Sequence, residues 1–228
     1  MKKDGKRQLF IGITSVVAFI VWTVLIQAVD VQPMGQNGTD IGFATWNIGF
    51  HDLTGVHMGI YILTDWLGLI PLLICMLFAG MGFVQLIKRR SLFQVDYDII
   101  LLGIYYVIVI LCYLLFERFP VNYRPILIDG VMEASYPSST TLLVLCVMPT
   151  ITFQVKRRLK NAVVAKRIGV LVRIFSWSMV IGRLISGVHW FTDIVGSVML
   201  SVGLFCVYKA AVSLRDKKIK SEAGYGIS

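Results

Sequence analysis

At 228 residues, 57% hydrophobic and only 15% charged, the chain is too apolar for an ordinary soluble domain, in which charged residues make up about a quarter. Its net charge of +9 accompanies uncharged runs of membrane-crossing length, so the basic residues read as anchors to anionic lipid and not as a nucleic-acid surface. Cys75, Cys112, Cys146 and Cys206 lie inside apolar runs without CxxC spacing; they read as packing residues and imply no disulfide framework and no metal site.

Six transmembrane helices are expected, each needing roughly 20 apolar residues. Residues 1–8 form a basic start with Lys2, Lys3, Lys6 and Arg7, followed by a first uncharged run at 9–29. That run exceeds the h-region of about 7–15 residues in a cleaved signal peptide and lacks a small-x-small site after it. Residues 30–65 contain no Lys or Arg but hold His51 and His57 among Trp46, Tyr61 and Trp66, aromatics suited to headgroup level. The second and third runs, 66–87 and 99–116, flank a basic loop. A polar segment then carries Glu117, Arg118 and Arg124 and ends in SYPSSTT at the mouth of the fourth run, 140–155. Another basic loop precedes the fifth run, 168–185, and the sixth is 194–212.

Seventeen of the twenty-two lysines and arginines fall at the chain ends and in the two loops 88–98 and 156–167. Basic loops stay on the cytoplasmic side, so both termini are expected to be cytoplasmic. The expected fold is an all-α polytopic bundle. It divides into a cytoplasmic start (1–8), a six-span membrane domain (9–212) and a basic tail (213–228). Arg173 and Lys209 sit towards the inner ends of their runs and snorkel to headgroups.

The opposite side collects the titratable chemistry: Arg118, Arg124 and Arg183 with all three histidines. Ionisable groups at a span edge are functional candidates by default. In Arg183-x5-His189-x3-Asp193, a helical spacing of four would place the carboxylate one turn from the imidazole, where it can orient a nucleophile. The same aspartate in a first helical turn could simply stabilise its own helix. Small polar residues at a helix mouth suit anion binding by backbone N–H groups, and are equally ordinary N-caps.

Three segments read together settle on a family. Arg124-Pro125, Pro137-Ser138 at a helix start, and Arg183-x5-His189-x3-Asp193 occur in the order of Lys-x6-Arg-Pro, Pro-Ser-Gly-His and Ser-Arg-x5-His-x3-Asp. The chain resembles the type 2 phosphatidic acid phosphatase (lipid phosphate phosphatase and haloperoxidase) superfamily over roughly residues 50 to 212. The resemblance implies that Arg124, Arg183, Ser138 and the amides around Ser139 hold phosphate. It implies that His189 is the nucleophile, oriented by Asp193, and that the enzyme needs no cofactor. The implied substrate is an outer-leaflet phospholipid phosphate or polyprenyl pyrophosphate, handled at the extracytoplasmic face of a bacterial cell membrane.

The chain departs from the pattern at Glu117 (for Lys), Ser139 (for Gly), Thr140 (for His) and Gly182 (for Ser). Thr140 cannot supply the proton expected of the histidine, a contribution of about 10²–10⁴-fold. Glu117, His51 or His57 could substitute, or Glu117 could pair with Arg118 or Arg124. A lipid headgroup phosphotransferase and a catalytically silent lipid-phosphate-binding relative are the alternatives to a phosphatase.

Overall fold

The computed structural model describes residues 2–225, and these contain helices but no β-strand. In chain order they are α1 (Lys2–Ile26), α2 (Ala44–Thr54), α3 (Met58–Leu67), α4 (Leu69–Arg89), α5 (Tyr97–Arg118), α6 (Ser139–Arg158), α7 (Ala162–Ile185) and α8 (Phe191–Tyr225). Six segments are long and apolar enough to cross a membrane, α3 and α4 together making one of them. The protein is an integral, multi-pass membrane protein.

The second span begins earlier than hydropathy alone predicts, because α3 runs into α4 through Gly68, whose N–H donates to the carbonyls of Thr64 and Asp65. The last helix passes residue 212 and continues to Tyr225. α6 and α8 are the most buried spans; they line up serines and threonines such as Thr150, Ser197 and Ser201, whose hydroxyls bond carbonyls of their own helix. α1 lies against α8 at backbone contact, since a Cβ on Gly12 would meet Val207 N at 2.9 Å and one on Gly203 would meet Val16 N at 3.1 Å. Small residues give membrane helices this approach, where no hydrophobic force drives association.

At the basic end, the first-turn Asp98 of α5 receives Arg157 and Arg158 of α6, while Arg157 also reaches Asp216 of α8 at 2.7 Å. This ties three spans together. At the other end, connecting segments converge. Residues 119–138 fold back on themselves at Asp129-Gly130, both with positive φ, and pair Ile128 with Val131 and Tyr123 with Ala134. The start of α8 is held from three sides: Trp22 of α1 donates to the Thr192 carbonyl, Asn47 of α2 bonds Thr192 Oγ1, and Trp190 donates to the Tyr123 carbonyl.

Candidate active site

The turn between α7 and α8 positions the central imidazole. Gly187 takes φ +71°, and a Cβ there would lie 2.1 Å from the Gly55 carbonyl oxygen; only glycine allows the α2–α3 link to pack so close. His189 falls in this turn, two residues before α8, so it does not share a helix with Asp193 as the four-residue spacing predicts. The reversal at Ser186–Trp190 brings it instead beside the first turn of that helix.

His189 is only 3% exposed. Its Nδ1 lies 3.1 Å from the Ser135 carbonyl, and its Nε2 lies 3.2 Å from Nη2 of Arg183. A carbonyl only accepts and a guanidinium only donates. The hydrogen bonds therefore assign the proton to Nδ1 and leave a lone pair on Nε2, the neutral tautomer. Burial, then the charges of Arg183 and Arg124, push the pKa of His189 well below the ordinary histidine value.

Asp193 sits 3.8 Å from His189 Nδ1, beyond direct hydrogen bonding. Its carboxylate accepts from Ser135 Oγ and from the Trp190 backbone N–H, with Asn122 Nδ2 at 3.4 Å. Asp193 thus caps the start of its own helix and, through Ser135, holds the strand of chain whose carbonyl fixes the imidazole. The contacts show the helix-capping reading directly, and they connect the carboxylate to the imidazole only through Ser135.

Two guanidinia face the imidazole's open side. Arg183 is 1% exposed, and its carbon lies 4.9 Å above the Tyr61 ring; that of Arg124 lies 5.7 Å from the same ring. Arg183 has only long contacts to Thr64 (3.4 Å) and Asp65 (3.7 Å). Arg124 pairs with Glu133 at 3.0 Å; the expected partner Glu117 is not the one it takes. Nε and Nη1 of Arg124 and Nε of Arg183 are buried with no hydrogen-bond partner. Buried donors are normally satisfied. The three unpaired donor atoms of these two arginines form a set whose chemistry suits an oxyanion.

The other candidates take distinct positions. Ser139 lines a cleft of about 200 Å³ beside Arg124, together with Glu117, Glu133, Tyr113 and Tyr136. It begins α6, whose first N–H groups have no intrahelical acceptor. Ser138 is fully buried, and its hydroxyl donates inward to Thr141. Thr140 turns its methyl towards Gly68 and lines a separate groove with Asp65. The outer segment does fold over the His189 turn, but His51 Nε2 contacts the Gly187 carbonyl at 3.2 Å and His57 Nε2 the Thr54 carbonyl at 2.9 Å. Neither imidazole lines the cleft, and His189 and Arg183 lie outside its lining as well. Among the described residues no cluster of His, Cys, Asp and Glu could hold a metal ion.

Four residues of the site were not foreseen: Tyr61, Asp65, Glu133 and Ser135. Asp129-Gly130, the two-residue turn most favoured in hairpins, is the one signal that could have placed Glu133 across from Arg124. Tyr61 and Asp65 come from α3, and only packing reveals them.

Fold and site together define a helical membrane protein with a buried imidazole and two arginines arranged for an oxyanion at one end of its bundle. Residues 74–217 match the family model described as the PAP2 superfamily, and the chain belongs to that family. A solved structure, that of a transmembrane PAP2-type phosphatidylglycerolphosphate phosphatase from Bacillus subtilis, is similar over 91% of this chain and 96% of that one, with a TM-score of 0.65 and 16% sequence identity. No curated protein matches the chain in sequence.

Proposed function

We propose that the protein is a membrane phosphatase that takes phosphate from lipid phosphates or pyrophosphates through a phosphohistidine at His189. The observation that carries this reading is His189 Nε2, unprotonated and 3.2 Å from Nη2 of Arg183, in a region where Nε of Arg183 and Nε and Nη1 of Arg124 are buried without partners. Family membership and the fold shared with a phosphatidylglycerolphosphate phosphatase support it. In the first step the Nε2 lone pair forms the N–P bond while the P–O bond to the leaving group breaks and the leaving oxygen takes the electron pair. The arginines balance the charge on the remaining phosphoryl oxygens. Water then attacks phosphorus, the N–P bond breaks, and inorganic phosphate departs. Two guanidinia supply the positive charge that a metal ion would otherwise bring.

The lipid tail fits a groove of about 420 Å³ between α4, α5 and α6, which shares Tyr113, Ser139 and Leu142 with the cleft. No imidazole lines the cleft and Glu133 is engaged as the anionic partner of Arg124, so Glu117 is the one other carboxyl there that could pass a proton to a leaving alkoxide. With a single candidate donor, leaving groups that need no proton are favoured. A phosphate monoester leaving from a pyrophosphate has a second pKa of about 6. Purified protein offered undecaprenyl pyrophosphate, phosphatidylglycerophosphate and phosphatidic acid, with a chelator present, is expected to release phosphate fastest from the pyrophosphate. Transfer of headgroups without release would reassign it as a phosphotransferase, and no turnover on any of them would leave a phosphate-binding relative.

On this reading the His189 end lies outside the cell and both termini inside, an orientation supported by the asymmetric distribution of basic residues. Cysteines introduced at Gln36 and Ser221 test this with a membrane-impermeant thiol reagent on intact bacteria. Gln36→Cys is expected to label and Ser221→Cys to stay protected; the reverse pattern inverts the assigned face.

A further inference from the structure

We propose that the end of the bundle away from His189 holds a second lipid site, one that binds a single anionic phospholipid between α6, α7 and α8. It is independent of the phosphatase reading. Two adjoining hollows of about 360 Å³ each lie there. The first is lined by Lys156, Lys160, Lys166 and Arg173 and contains no acidic residue. The second shares Lys156 and Arg173, adds Lys209, and is otherwise walled mostly by apolar side chains such as Pro149, Phe153 and Trp177, with the hydroxyls of Thr152 and Ser176. One hollow is cationic and the other is apolar with a cationic rim, the two chemistries of a lipid headgroup and its chain.

The charges are sorted in a way that leaves this face available. Next to Lys156, Arg157 and Arg158 are occupied by Asp96, Asp98 and Asp216. Lys156, Lys160, Lys166, Arg173 and Lys209, on the other side of α6, have no ion-pair partner among the described residues. Lys209 instead lies with its Nζ 5.7 Å from the Phe205 ring centroid. α6 runs from Ser139 at the His189 end to Arg158, so Lys156 and the cationic hollow stand most of a helix length from Ser139 at roughly 1.5 Å per residue, while the apolar hollow extends back to Leu145. Basic pockets between membrane helices on the inner side suit phosphate headgroups, each basic residue contributing about a fivefold gain in binding. A zwitterionic headgroup would bring a cation to five others and gain far less.

Native mass spectrometry of the full chain, delipidated in detergent and titrated with phosphatidylglycerol, reads the site directly. One phosphatidylglycerol is expected to be retained in preference to phosphatidylcholine, and glycerol phosphate, which has no chain, should not compete. The variant Lys160→Gln, Lys166→Gln, Arg173→Gln should weaken retention about a hundredfold, at roughly a factor of five per charge. A control losing equal charge from the same face, Lys6→Gln, Lys88→Gln, Arg90→Gln, should retain the lipid as the unmodified protein does. Lys166→Gln alone, expected to weaken binding about fivefold, serves if the triple variant misfolds. Equal weakening in the control would reduce the effect to diffuse surface attraction. Undiminished binding in the triple variant, or competition by glycerol phosphate, would equally overturn the site.

Discussion

His189→Ala is expected to lower phosphate release by at least ~10³-fold, with no trapped phosphoprotein, while the purified variant keeps its elution volume and helical content. Removing a nucleophile that forms a covalent intermediate costs a rate of this order or more. Turnover of the unmodified protein on radiolabelled substrate, quenched in alkaline detergent, should leave alkali-stable, acid-labile label on the chain, and the alanine variant should not. The acid limb of kcat/KM reports the free enzyme. Because burial and two arginines hold the His189 pKa well below its usual value, activity should persist as pH falls through about 6.5, where an ordinary histidine would protonate. Stability moves the other way. Below about 6.5 the unfolded chain binds a proton that folded His189 refuses, so this residue's contribution to stability declines by up to ~1.4 kcal/mol per pH unit until its own low pKa is reached. His189→Ala should lose that part of the acid destabilisation. A normal rate in this variant would end the phosphohistidine mechanism.

Arg183→Met should separate stability from function. The guanidinium is 1% exposed, has an unpaired Nε, and touches Asp65 only at 3.7 Å. An apolar side chain of similar length removes an undercompensated buried cation, and such replacements are neutral or stabilising by about 1–4 kcal/mol. Asp65 itself stays in a solvated position, with 61% of its side chain exposed, so its lost partner costs little. The same change deletes a donor to the phosphoryl oxygens, a loss of about 10²–10³-fold in kcat. A higher melting midpoint in detergent with nearly abolished turnover is the expected pair of results. Arg183→Lys, which keeps the charge but not the fork, should lie between the two in activity. Lower stability in Arg183→Met would mean that the arginine serves the fold.

The six-span architecture was legible because charged loops punctuate the apolar runs, and the two arginines, His189 and Asp193 were legible because their spacing carries chemistry. What local pattern could not supply was direction. Thr140 stands at the second position of α6, where one residue is about 100° of rotation, and it lines only the groove beside α4 and α5, whereas Ser139 lines both that groove and the cleft. Charge counting grouped His51 and His57 with His189, and His51 does lie against the turn that carries it. Backbone carbonyls of Gly187 and Thr54 then decide where their rings point, and no sequence pattern encodes that. The His189–Asp193 spacing suggested a helical pair. The pair forms across a turn because α7 ends at Ile185 and Gly187 permits a sharp reversal.

The ion pair between Arg124 and Glu133 changes what binding means at this end of the molecule. On the phosphatase reading an arriving phosphate finds Nε and Nη1 of Arg124 unpaired but meets a carboxylate already seated on Nη2, with which it competes for the guanidinium. Affinity then measures the difference between two anions, so the enzyme can hold a doubly charged substrate without clinging to it. After hydrolysis the displaced carboxylate remains tethered one hairpin away, at an effective concentration in the millimolar range typical of short linkers. Its return competes with inorganic phosphate and clears the site, giving product expulsion a partner built into the chain.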